Sequence, residues 1–230
     1  MTMSAYTETK QRSSAKPLYI VSDVARFSRA STSKISRWLE GYAVSGREYE
    51  PFLQTPPERC RDRPALTFEN LIEVSLVTEL RRRGISLQTI RQAHKIAGEE
   101  FGTYPFARRQ IFVSGKDIFM EASEYVHKEA EHLATLTRGG QRASELILRE
   151  YLVQIDWRGG WPAEWHPWES VRLNPEVVFG LPNVKGVRTE ILRNRFLANE
   201  SAEFIAEDFG LTVDEVQAAI RYEFCLEQAA

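Results

Sequence analysis

The sequence predicts a mainly α-helical fold with short β-hairpins: a front of two short helices, a ribbon and two longer helices, then a smaller α+β or helical rear. Three observations carry this. Residues 67–102 hold two stretches with apolar side chains three and four apart, each opened by a hydroxyl cap and closed by a glycine: Thr67 with Gly84, and Ser86 with Gly102. Residues 42–65 lose that period, because Gly46, Pro51, Pro56, Pro57 and Pro64 interrupt extended pieces. Three more helical patterns fill residues 191–224.

Taken in order, residues 1–17 are almost without apolar side chains and are expected to form a disordered arm. Tyr19, Ile20 and Val21 lead into a two-turn helix with Ser22 as its cap and Asp23 suiting the positive end of the helix dipole. Ser31 or Thr32 opens a second short helix, with Ile35, Trp38 and Leu39 on one face, which ends at Gly41. Two short helices joined tightly are a helix-turn-helix candidate, and the interrupted segment behind them reads as a β-wing. The next helix carries Leu71, Ile72, Val74, Val77 and Leu80; Arg81, Arg82 and Arg83 complement the dipole in its last turn. Its successor places Leu87, Ile90, Ala93, Ala97 and Phe101 on one face.

Between 109 and 122, two β-rich runs (110–113 and 117–120) flank Ser114, Gly115 and Lys116, which predicts a hairpin. A helix is expected over 144–151 and a second ribbon over 153–168, with both Gly139-Gly140 and Gly159-Gly160 marking turns. The closing helices span 191–197, 202–209 and 213–224, the last with a capping box of Thr212 and Glu215. The implied organisation is an arm (1–17), a front domain (18–112) and a rear domain (113–230).

The net charge of -2 over 230 residues hides an asymmetry. Residues 1–112 hold 18 Lys and Arg against 12 Asp and Glu, a balance of +6, and the remainder holds 12 against 20, a balance of -8. A basic front suits a polyanion. From Asn199 to Ala230, eight carboxylates face Arg221 alone, a surface that repels phosphates and suits a basic protein. No run nears the roughly 20 apolar residues of a membrane span, and residues 1–17 lack a signal-peptide core, so the expected location is cytoplasmic. Cys60 and Cys225 have no CxxC partner, and His127 and His132 are five apart rather than the four a metal-binding helix uses; the other histidines are His94 and His166. Without a nucleophile elbow, a P-loop lysine or a distinctive carboxylate spacing, no enzyme, metal or cofactor is expected.

The order of helix-turn-helix, wing and two helices, with Arg82-Arg83-Gly84-Ile85-Ser86-Leu87 followed by Ile90-Arg91, resembles the MerR-type DNA-binding domain over about residues 19–101. That family usually carries Leu-Arg-Tyr-Tyr where this chain has Ile35-Ser36-Arg37-Trp38, so Ser36 occupies its phosphate-contacting arginine position and Lys34 and Arg37 are the substitutes. Residues 170–224, with Phe179-Gly180-Leu181-Pro182 and Lys185-Gly186-Val187-Arg188, resemble a small bacterial domain of unknown function encoded beside PIN-like ribonuclease toxins. The combination resembles a VapB-type antitoxin. It implies a MerR-like winged helix-turn-helix domain joined to a small α+β or helical domain, a homodimer that binds a PIN-like ribonuclease toxin directly and represses its own operon at operator DNA. The alternative is a MerR-like ligand-responsive transcriptional regulator whose rear half senses a small molecule.

On this reading the DNA-binding candidates are Ser31, Thr32, Ser33, Lys34, Ser36 and Arg37 on the recognition helix, with Arg47 and Tyr49 on the wing. Ile35, Trp38 and Leu39 read as core. Trp157, Trp161, Trp165 and Trp168 are either interface anchors or a secondary core. The toxin-binding candidates are Tyr222, Phe224 and Leu226, against the alternative that Tyr222 and Phe224 pack inside. Dimer contacts are expected from the apolar helices of the rear half, since one short recognition helix reads too few base pairs.

Overall fold

The computed structural model describes residues 16–56, 59–60, 63–129 and 137–228. The expected arm therefore lies outside the described residues up to position 15, as do His132 and the side chain of His127. Among the described residues, no helix is long and apolar enough to cross a membrane.

The fold is mainly helical with short β-hairpins and one larger sheet. Its front begins with α1 (Val21–Ser28) and α2 (Thr32–Glu40), followed by a hairpin of β1 (Tyr42–Val44) and β2 (Arg47–Tyr49). Ser45 and Gly46 both take positive φ at the hairpin tip, which matches the twist of the flanking strands. A two-residue pair, β3 (Arg59–Cys60) and β4 (Arg63–Pro64), precedes α3 (Phe68–Arg82) and α4 (Leu87–Phe101). Helix α1 starts one residue before Ser22: the Ile20 N–H donates to the Asp23 carboxylate at 3.0 Å, so Asp23 closes the end that Ser22 was expected to cap. The Thr67 hydroxyl caps α3 and the Ser86 hydroxyl caps α4.

Helix α3 is buried on nearly every face, from Phe68 through Val77 and again at Leu80, so it is a core helix. Packed on it are α1, α4, the 3₁₀ turn Pro105–Ala107, strand β6 and helix α6. Two of its buried polar residues, Asn70 and Glu73, find partners inside. Asn70 donates to the Gln54 carbonyl at 2.6 Å, and Glu73 Oε1 accepts from the Phe106 N–H at 3.0 Å and lies 3.1 Å from His94 Nε2.

The hairpin expected between 109 and 122 is a helix, α5 (Arg109–Glu129). Its buried positions are Ile111, Phe112, Gly115, Ile118, Phe119 and Ala122, a helical stripe; adjacent buried pairs such as 111/112 and 118/119 are incompatible with a half-buried strand. Gly115 belongs to a close helix crossing, where a Cβ would stand 2.8 Å from Leu148 Cδ1. The anticipated division after residue 112 falls inside this helix. Next comes α6 (Thr137–Gln154), longer at both ends than the 144–151 reading, and it runs through Gly139-Gly140, which therefore mark no turn. Helical glycine costs only about 1 kcal/mol relative to alanine. Burial of Ile147, Leu148 and Tyr151 on the same helix outweighs that cost.

The rear is a five-stranded antiparallel sheet in chain order: β5 (Ile155–Arg158), β6 (Trp161–Trp168), β7 (Val171–Leu173), β8 (Asn183–Val184) and β9 (Val187–Arg188). Three helices complete it, α7 (Thr189–Leu197), α8 (Ala202–Phe209) and α9 (Val213–Glu227), the last with its Thr212/Glu215 capping box in place. Trp161 and Trp165 are buried, and Trp157 and Trp168 pack half-buried against the core, so the tryptophan group serves the interior.

The first and last described helices are tied together. Glu223 of α9, 2% exposed, accepts from the Thr189 hydroxyl at 2.5 Å and pairs with Arg26 of α1, while the Tyr19 hydroxyl donates to the Gly180 carbonyl at 2.8 Å. Gly180 has φ +76, and a Cβ there would lie 2.3 Å from Tyr19 Oη. Gly180→Ala is therefore expected to destabilise by about 2–3 kcal/mol, combining left-handed backbone strain with loss of this buried hydrogen bond. Tyr19→Phe, which removes only the bond, should cost about 1 kcal/mol in the same urea-unfolding experiment.

Candidate nucleic-acid and partner interfaces

Burial of Ile35, Trp38 and Leu39 orients α2 and leaves Ser31, Thr32, Ser33, Lys34 and Arg37 exposed. Ser36 is half-buried. Ser31 is the N-cap residue, but its hydroxyl lies 3.3 Å from that of Ser33 and does not bond the helix backbone. Lys34 and Arg37 are one turn apart and share a face with Ser33. The register Tyr42↔Tyr49 stacks two tyrosine rings across the hairpin, 4.7 Å between centroids and 11° from parallel. Arg37 lies 5.5 Å from the Tyr42 ring and Arg47 5.6 Å from the Tyr49 ring. A ladder of Arg37, Tyr42, Tyr49 and Arg47 thus joins α2 to the wing and fixes two cations along one ridge.

Arg91 of α4 supports this ridge from beneath. It donates to the Glu50 carbonyl at 2.5 Å and lies 4.7 Å from the Phe52 ring, and burial lowers its pKa from the ordinary guanidinium value. Tyr42 and Arg91 were not among the site candidates. The Ile90-Arg91 pair stood in the sequence as a motif, but its role at the base of the wing depends on the fold. Arg81, Arg82 and Arg83 are occupied locally: Arg82 and Arg83 pair with Glu79, Arg83 also approaches Glu150, and Arg81 donates to the Ile85 carbonyl.

Of the three toxin-binding candidates, Tyr222 and Leu226 are each 1% exposed and belong to the core, so they cannot be surface anchors of the folded chain. Phe224 is half-buried beneath Arg193. Helix α9 turns its apolar side inward, so for Tyr222 the alternative of packing inside is the one observed. The exposed apolar side chains of this region are instead Ile191, Phe196 and Leu197 on α7, Phe204 on α8, and Phe179, which is 82% exposed.

Arg195 braces the α7–α8 corner. Its guanidinium lies 5.6 Å from the Phe204 ring and 5.2 Å from the Phe209 ring and pairs with Glu200 and Asp208, whose hydrogen bonds raise its pKa. Among the described residues, Glu203, Glu207 and Asp214 are exposed carboxylates with no basic partner.

One further cluster could offer metal ligands. Asp156, Glu164 and His166 project ligand atoms that all lie within 4.8 Å of one another on neighbouring strands. Glu164 already accepts from Asn174 at 2.9 Å and has the Arg172 guanidinium at 3.7 Å, so hydrogen bonding within the protein accounts for the grouping.

No family model matches the chain. Two proteins of Mycobacterium tuberculosis are similar along most of their lengths. One, named "Putative antitoxin VapB45", is 22% identical over 224 residues, which cover 89% of this chain and 92% of the relative. The other, uncharacterized protein Rv2308, is 23% identical over 228 residues, covering 90% of each. The crystal structure of Rv2018 from the same organism matches with a TM-score of 0.71 at 19% identity, over 89% of this chain and 98% of that one, so the two share a fold. The chain is thus a distant relative of an antitoxin-like protein.

The Glu215 carboxyl is held below the usual carboxylate range, first by the Lys185 ammonium at 2.8 Å and then by the Thr212 backbone N–H. A depressed folded pKa adds stability that is present above the unfolded value and lost as pH falls through the folded one. Lys185→Met should therefore move the Glu215 titration, followed by carboxyl NMR, upward toward the ordinary carboxylate range, with the Thr212 N–H still holding it below that range. The variant should also be less stable than the parent near neutral pH, with the difference shrinking as pH falls through the folded-state pKa.

Proposed function

We propose that this protein is the antitoxin of a type II toxin-antitoxin module, which neutralises a PIN-like ribonuclease toxin by direct binding and represses its own operon at operator DNA. The observation that carries the reading is the similarity to the antitoxin-named relative along about nine-tenths of both chains. On this reading α1, α2 and the β1–β2 wing form a MerR-like winged helix-turn-helix. The exposed first turn of α2 enters the major groove while Lys34, Arg37 and Arg47 hold phosphates. A homodimer would present two such units to a palindromic site.

The toxin-facing surface is reassigned to the α7–α8 corner. Phe204, Phe196 and Leu197 would supply the apolar anchors, and Glu203, Glu207 and Asp214 the acidic steering toward a basic RNA-binding groove. The protein acts by binding and needs no cofactor.

Lys34→Ala with Arg37→Ala tests the DNA half. Each lost phosphate contact should reduce the slope of log K against log salt by about one unit, with affinity falling similarly on all sequences. Unchanged binding and salt dependence would remove α2 from the interface. Phe204→Ala with Phe196→Ala tests the toxin half against the product of the adjacent gene: affinity should fall by more than about 2 kcal/mol while the melting temperature of this surface variant stays near the parent's. Undiminished binding would move the toxin surface elsewhere. Sedimentation at micromolar concentration should give a dimer, and a monomer that still binds its operator tightly would refute that part.

A further inference from the structure

A cavity of about 230 Å³ lies where α1, α3 and α6 meet strand β6 and helix α9. Its walls are largely aromatic, from Phe27, Tyr151, Trp165, Trp168 and Tyr222. Three of its lining residues carry buried polar atoms with no hydrogen-bond partner in the protein: Ser75 Oγ, Trp165 Nε1 and Tyr222 Oη. These residues are 2%, 4% and 1% exposed. An indole N–H can only donate, and a serine hydroxyl can donate or accept. Burial raises the pKa of the Tyr222 hydroxyl, which keeps it protonated and able to donate. A set of three donors on aromatic walls calls for a flat ligand that brings acceptor oxygens.

The charge around the cavity names the acceptor. Glu79 pairs with Arg82, and Glu150 lies 3.4 Å from Arg83. Arg29, also on the lining, has no carboxylate partner among the described residues and packs its guanidinium 5.5 Å from the Trp168 ring. It sits in the left-handed conformation, φ 56, at the end of α1, close enough for its charge to act on both Tyr151 and Tyr222. The lining carries two cations, Arg29 and Arg82, and two carboxylates, Glu79 and Glu150; Arg29 is the lining cation left without a carboxylate partner among the described residues. A volume of about 230 Å³ suits a one- or two-ring molecule.

We propose that this cavity is a binding site for a small aromatic carboxylate, its ring between the tryptophan and tyrosine walls and its carboxylate directed to Arg29 and the Ser75, Trp165 and Tyr222 donors. The site is separate from both the α2 ridge and the α7–α8 corner, and it does not depend on either being an interface. It lies at the turn that leads into α2, in the junction of front and rear and not within the rear half alone.

The test titrates benzoate and 2-naphthoate, with their neutral amides as controls, into the full chain by calorimetry and by quenching of tryptophan fluorescence. At least one acid should bind with one-to-one stoichiometry at submillimolar concentration, with its amide about tenfold weaker. Tyr222→Phe deletes a hydroxyl that bonds nothing in the protein, so it should fold normally, and it and Arg29→Gln should each weaken the acid about five- to tenfold at an unchanged melting temperature. No binding of either acid at 1 mM, about the limit at which a Kd corresponds to 4 kcal/mol, overturns the proposal. So does equal binding of acid and amide, or undiminished binding by both variants.

Discussion

The burial of α3 on nearly every side is the constraint from which the rest of the structure follows. A buried carboxylate or amide on such a helix needs partners from the elements packed against it. Glu73 is the decisive case: burying a carboxylate costs several kcal/mol unless hydrogen bonds offset it. Its Oε1 takes the Phe106 N–H and faces His94, so the 3₁₀ elbow that feeds α5 and the middle of α4 are positioned by the same oxygen. His94 in turn meets the rings of Phe52 and Phe106 edge-on, at 5.6 and 4.9 Å. Phe52 and Leu53 donate their N–H groups to the Trp38 carbonyl at the end of α2. The exposed ridge of α2 and the wing thus derives its position, through five residues, from a buried acid.

The same logic assigns α9 to the scaffold. Glu223 is nearly solvent-free and bonded to Thr189 and Arg26, so α9 is tied both to the start of α7 and to α1, the first described helix. Removing one partner of such a pair leaves a buried charge uncompensated, a larger penalty than the pair's own contribution. Tyr19 and Gly180 repeat the connection a short distance away. A rear segment with these duties has no freedom to offer Tyr222 or Leu226 to another protein, and the exposed apolar side chains nearby are those around Phe204 and Leu197.

What the sequence made legible was whatever is decided within one turn. The Thr67, Ser86 and Thr212 caps, the glycines at 84 and 102 and the apolar stripes between them place their helices correctly because those bonds are local. Residues 110–120 misled because the Ile, Phe and Val content that favours strands is also what a helix buried between two others requires; only the paired burial of 111/112 and 118/119 separates the cases. The β1–β2 hairpin was visible as broken periodicity, but its stacked tyrosines depend on which residues face each other across Ser45-Gly46, a register no local pattern specifies. The cavity beside Arg29 draws residues from five elements and left no trace in the order of the chain.

Charge counting located the acidic segment without measuring its field. Of the eight carboxylates between Asn199 and Ala230, Glu200 and Asp208 are held by Arg195, Glu215 by Lys185, Glu223 by Arg26 and Glu227 by Arg193. Four of the five pairings reach back to cations in residues 185–195, just upstream of the segment counted, and the fifth reaches α1. A tally that stopped at Asn199 therefore credited the surface with charge that the fold neutralises. The remaining free carboxylates are Glu203 and Glu207, one turn apart on α8, and Asp214 at the start of α9. Three charges beside an exposed phenylalanine can steer an encounter and select its orientation, while desolvation of that ring supplies what holds the complex together.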